Sequence, residues 1–72
     1  MGLEEELGEK LMNELKGLSF LYKSYSISLT EFRKLYKILY HESIKKAKNK
    51  KLVEGELVSE YEFIVNSRKV KK

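Results

Sequence analysis

Between Phe32 and Ala47 the apolar residues fall at the spacing of a single helix face, and that pattern leaves little choice of local structure. Phe32, Leu35, Tyr36, Leu39, Tyr40, Ile44 and Ala47 recur three or four positions apart, the repeat of a helix with about 3.6 residues per turn. On the other side of the same helix Lys34, Lys37, His41, Lys45 and Lys48 follow at steps of 3, 4, 4 and 3. At about 100° per residue all five share one narrow arc. One face is therefore suited to a core, and the opposite one to water or an anionic partner.

The start of this helix is signalled by residues 28–31, Ser-Leu-Thr-Glu. In such a capping box the serine hydroxyl accepts from the glutamate N–H and the glutamate reaches back to the serine N–H. Ile27 is placed to staple onto Phe32. The helix is predicted over 28–49, with Lys45, Lys46, Lys48, Lys50 and Lys51 crowding its end, where cations complement the helix dipole.

Elsewhere the signals are weaker. Leu3, Leu7, Leu11, Met12 and Leu15 predict a first helix over 2–16. Glu4, Glu5 and Glu6 suit its first turn, and Gly17 after Lys16 suits its C-cap. Gly8 inside it costs about 1 kcal/mol relative to alanine. Residues 17–27 read as a packed connector, because Phe20, Leu21, Tyr22, Tyr25 and Ile27 would each forfeit about 1.5–3 kcal/mol if left in water. The last third fits two patterns. Val53, Leu57, Tyr61 and Ile64 form a helical stripe, giving a helix over 57–69 with residues 59–62 as a second capping box. Leu57, Ser59, Tyr61, Phe63 and Val65 also alternate as in a strand, giving a hairpin within 52–70. The first pattern makes a small, mainly α, three-helix domain. The second makes an α+β, winged-helix-like fold. The basic tail 68–72 reads as frayed.

Seventy-two residues allow one domain. The chain has no cysteine and one histidine, so it offers neither a disulfide nor a thiolate or histidine-rich metal site, and no metal or cofactor is expected. A small fold without such a staple relies on regular helix packing or on oligomerisation, which makes a homodimer the expected state. No apolar run approaches the ~18 residues of a membrane span. The acidic residues 1–8 lack the apolar centre of a secretory signal, so a cytoplasmic location is expected. Enrichment in Lys and Glu, with no Asp, Gln, Cys, Pro or Trp, fits a thermophilic source or an AT-rich genome.

Catalytic patterns are missing. The four glycines are scattered, so no phosphate-binding loop can be drawn. No aspartate exists to complete a Ser/His/Asp set. Glu60 and Glu62, two positions apart, diverge on a helix. A non-enzymatic protein without a small-molecule substrate is the expectation.

The formal charge of +4 conceals blocks: −4 over residues 1–14, +7 over 33–51, −4 over 52–62 and +4 over 68–72. Such blocks pair internally or face a polyanion. Only Glu42 interrupts the basic block. The leading expectation is a regulatory protein that contacts duplex DNA phosphates through Arg33, Lys34, Lys37, His41, Lys45, Lys48, Lys50 and Lys51. The plainer reading is a solvated helix face, with His41 an ordinary surface residue. Tyr22, Tyr25 and Tyr40, near basic residues, could stack on bases, whereas Tyr36 and Tyr61 lie on apolar stripes. Ile38 and Phe63 fall on polar sides of their helices. They mark the alternative, an adaptor or inhibitor docking on a larger protein.

Overall fold

A computed structural model of the chain describes residues 2–70, with side chains through Arg68. Four helices follow one another: α1 (Leu3–Leu7), α2 (Glu9–Lys23), α3 (Leu29–Lys46) and α4 (Lys50–Val70). No strand occurs among the described residues. The chain forms a small, nearly all-helical domain, and residues 52–70 lie in α4 rather than in a hairpin.

The predicted first helix is cut in two at Gly8. Its φ of 89° lies in the left-handed region, where a Cβ is strained. The Gly8 N–H still closes α1 by donating to the Glu4 carbonyl. After the bend, α2 runs through Gly17 without ending there, so the expected connector is mostly helix. Leu18 and Tyr22 continue the buried stripe of Leu11 and Leu15, and this burial outweighs the helix cost of a central glycine.

α2 ends instead at Ser24. The Tyr25 N–H donates to the Tyr22 carbonyl and the Ser26 N–H to the Leu21 carbonyl, the two bonds of a Schellman ending. Tyr25 occupies the left-handed position at φ 64°, where glycine is usual. α3 begins as the sequence indicates: the Ser28 hydroxyl accepts from the Glu31 N–H at 3.2 Å. Only this half of the capping box forms among the described residues.

α3 stops at Lys46, short of the predicted Asn49. Ala47 is extended at φ −70°, ψ 143°. Three contacts compensate the break. Asn49 Oδ1 accepts from the Leu52 N–H and caps α4. Glu6 Oε1 accepts from the N–H groups of Lys48 and Asn49 at 2.9 and 3.2 Å. Lys50 Nζ donates to the carbonyls of Ile44 and Ala47. Ser59, predicted to cap a helix, sits in mid-α4. Arg68, predicted to lie in a frayed tail, is docked: its Nη1 donates to the carbonyls of Tyr22 and Ile27. The last two lysines of that tail lie outside the described residues.

Phe32 is the centre of the core, fully buried. Its ring stacks on Tyr22 of α2 at 4.5 Å and on Tyr61 of α4 at 5.6 Å, with Tyr36 5.4 Å away. Leu7, Leu11, Leu15, Leu18, Val53, Leu57 and Ile64 complete the cluster. Phe32 meets Tyr61, and Tyr36 Oη donates to the Leu57 carbonyl at 2.9 Å, so α3 and α4 run antiparallel. Lys10 and Leu11 lie beside Lys45 and Lys46, so α2 and α3 do as well. The molecule is elongated, 38 × 18 × 17 Å.

Candidate anion-facing surface and apolar groove

α3 places Phe32, Tyr36 and Ser43 in the core. The positions half a turn away, Lys34, His41 and Lys45, must then face outward. All three are exposed, as are Arg33 and Lys37. Thr30, Arg33, Lys34 and Lys37 enclose a shallow concavity of about 310 Å³. Among the described residues, no ion pair or hydrogen bond engages the side chains of Lys34, Lys37 or Lys45. The cation row therefore runs exposed along α3 as far as Lys45, with the His41 imidazole between Lys37 and Lys45.

The rest of the predicted set is dispersed. Lys48 leaves the row, because the helix ends before it. The Lys50 ammonium is turned back onto the end of α3. Lys51 is exposed in the first turn of α4. His41 packs edge-on to Tyr40, ring centres 5.5 Å apart. Of the tyrosines proposed to stack on bases, Tyr22 is buried and closed to a ligand. The Tyr25 ring is covered on one side by Arg68 at 4.1 Å.

The Tyr36 hydroxyl is buried between α3 and α4. Burial pushes its pKa up, and the nearby Glu60 and Tyr61 add to this. It stays protonated and serves as a donor to Leu57, which is a structural role.

A second feature was only half visible in the sequence. Ile38 is 55% exposed, and it is not alone. Phe20 (68%), Leu21 (40%) and Leu35 (44%) are exposed beside it. With Gly17, they line an open groove of about 730 Å³ between α2 and α3, bordered by Glu14 and Glu42. The helical spacing places Leu35 on the core stripe. It lies at the stripe's edge, on the flank of α3 that α2 leaves uncovered. Phe63, predicted to join Ile38 in an interface, is exposed on α4 outside this groove, with Lys23 Nζ 6.0 Å from its ring centre. A connector over residues 17–27 gives Phe20 and Leu21 no face, so spacing alone does not assign them to a groove. Continuing the α2 period through Gly17 puts Phe20 out of phase with Leu11, Leu15, Leu18 and Tyr22.

Among the described residues, no group of three or more His, Cys, Asp or Glu side chains could hold a metal ion. No helix among them is long and apolar enough to cross a membrane. No protein-family model, curated protein or solved structure matches the chain.

Proposed function

We propose that this chain is a small, non-enzymatic nucleic-acid-binding protein of regulatory type, and that α3 contacts the phosphate backbone of duplex DNA. The observation that carries the reading is the strip of Arg33, Lys34, Lys37 and Lys45. All four are exposed on one unbroken helix. A cation that already has a carboxylate partner gains little from a phosphate. An unpaired one releases condensed counterions on binding, which is the main source of sequence-blind affinity. Arg33 also offers a planar fork for bidentate phosphate contact.

Titration of the full chain against a random duplex tests this. Four phosphate contacts predict that log K falls with log salt at a slope of about −3.6. Charge reversal at Arg33 and Lys37 should lower affinity by about tenfold or more at low salt, with helicity unchanged. Absence of any complex at micromolar protein and low salt rejects the reading.

The groove between α2 and α3 favours a second reading, a protein-interaction module. A contiguous apolar surface on a small monomer commonly marks a contact site. Mutations at Ile38 and Phe20, rather than at the cation strip, would then abolish function.

A further inference from the structure

The arc of α3 centred on Ile38 has a pattern of its own. Lys34 and Glu42 stand four residues either side of Ile38, and Glu31 and Lys45 stand seven either side. All are exposed. Charge sign thus reverses about Ile38 at both distances. If a second α3 is laid antiparallel across this arc, with a two-fold axis at Ile38, Lys34 meets Glu42 of the other copy and Glu31 meets Lys45. Each contact occurs twice, as an isologous interface requires.

We propose that the protein associates with a second copy of itself through this face, α3 against α3, with Ile38 and Leu35 at the centre and the four charges as the rim. Three observations favour a second copy as the occupant. First, the charge pattern is self-complementary. A chain of net charge +4 repels its own copy except where acids and bases alternate in register, as they do here. Second, the apolar patch extends beyond α3 onto Phe20 and Leu21 of α2, so the buried centre is wider than one helix. Gly17 lies between these residues and Glu14, and a Cβ built there meets nothing within 4 Å, which leaves room for close approach. Third, an interface of standard size, about 800 Å² per partner, takes only roughly one-seventh of this chain's 5293 Å² surface. The 18 residues of α3 span about 27 Å. Arg33 and Lys37 lie on the other flank of α3 and stay available to a polyanion, whereas Lys34 and Lys45 serve the dimer rim, so a paired chain keeps about half of the strip's phosphate contacts.

Sedimentation equilibrium of the full chain between about 10 µM and 1 mM tests the proposal. A reversible dimer is expected. Ile38→Asp should weaken it about tenfold or more, with unchanged helicity because Ile38 is exposed in the monomer. Lys34→Glu sets like charges opposite each other twice and should weaken it by about tenfold. Adding Glu42→Lys exchanges the pair and should restore the wild-type constant within about threefold. A chain that stays monomeric up to about 1 mM overturns the proposal and leaves the groove to a different protein. A dimer indifferent to Ile38→Asp overturns it too. So does a Lys34→Glu/Glu42→Lys variant no tighter than Lys34→Glu alone, since the antiparallel register requires the rescue.

Discussion

The guanidinium carbon of Arg68 lies 4.1 Å from the ring centre of Tyr25, the residue held at positive φ in the turn between α2 and α3. A tyrosine in the left-handed region costs about 1–2 kcal/mol that glycine would not. Arg68 offsets this cost. It stacks on Tyr25 and also on Tyr22 at 4.2 Å, and it donates to the carbonyls of Tyr22 and Ile27. The end of α4 thereby holds together the turn that joins two other helices.

Arg68→Ala should destabilise the fold by about 2 kcal/mol, combining two hydrogen bonds with two cation–π contacts. Arg68→Lys should recover less than half of this, because an ammonium lacks the planar fork. Tyr25→Gly should be near neutral in the wild type and stabilising by about 1 kcal/mol in the Arg68→Ala background. Urea denaturation of the four proteins closes the cycle. Additive effects would refute the coupling.

Glu6 should contribute about 1 kcal/mol at the start of α4. Lys48, Lys50 and Lys51 surround that end, and the first turn of α4 contains no acid. Glu6 supplies the missing negative charge from α1 through its bonds to the Lys48 and Asn49 N–H groups. Glu6→Ala should lower the thermal midpoint by several degrees in low salt. The deficit should shrink as salt rises.

Tyr36→Phe should cost about 1 kcal/mol at neutral pH through loss of the bond to the Leu57 carbonyl. The sign reverses in alkali. Burial raises the folded-state pKa of Tyr36, so above pH ~10 the unfolded chain loses a proton that the native one keeps. Wild-type stability should therefore fall with rising pH from about 10 upward. Tyr36→Phe should show a shallower fall. Parallel stability–pH curves for the two proteins would reject this assignment.

Gly17→Ala should stabilise the monomer by up to about 1 kcal/mol, since the residue is helical and its added methyl meets open space. The same holds for Gly55 in α4. If the Ile38 face is paired in solution, only Gly17→Ala should also weaken the dimer in sedimentation, because only Gly17 lines the groove.

The residues that build the core were readable one by one. The stripe from Phe32 and Tyr36, Leu7, Leu11 and Leu15 of the first segment, and Val53, Leu57 and Ile64 obey helical spacing, and each is buried. Lys34, Lys37, His41 and Lys45 followed from the same periodicity, since the side opposite a buried stripe must face outward. Leu35, Phe20 and Leu21 did not follow. Whether a residue at the edge of an apolar stripe is covered depends on how far the neighbouring helix reaches, and spacing along one helix says nothing of that. Ile38 stands out in the sequence because it breaks its own helix's pattern. Its companions on α2 and α3 became visible only when the two helices stood side by side.

Helical character and the inward faces come from the order of apolar and polar residues alone, because a 3.6-residue repeat is a local property of the backbone. Where the helices end is a different matter. Gly8, which the spacing places inside a helix, ends α1, whereas Gly17, which reads as a C-cap, lies inside α2. Two further ends depend on partners far along the chain: Glu6 for the start of α4, and Arg68 for the close of α2. Those groups meet only after the helices have packed, so the bends at Tyr25 and Ala47, and the uncovered groove between α2 and α3, are products of assembly rather than of local preference.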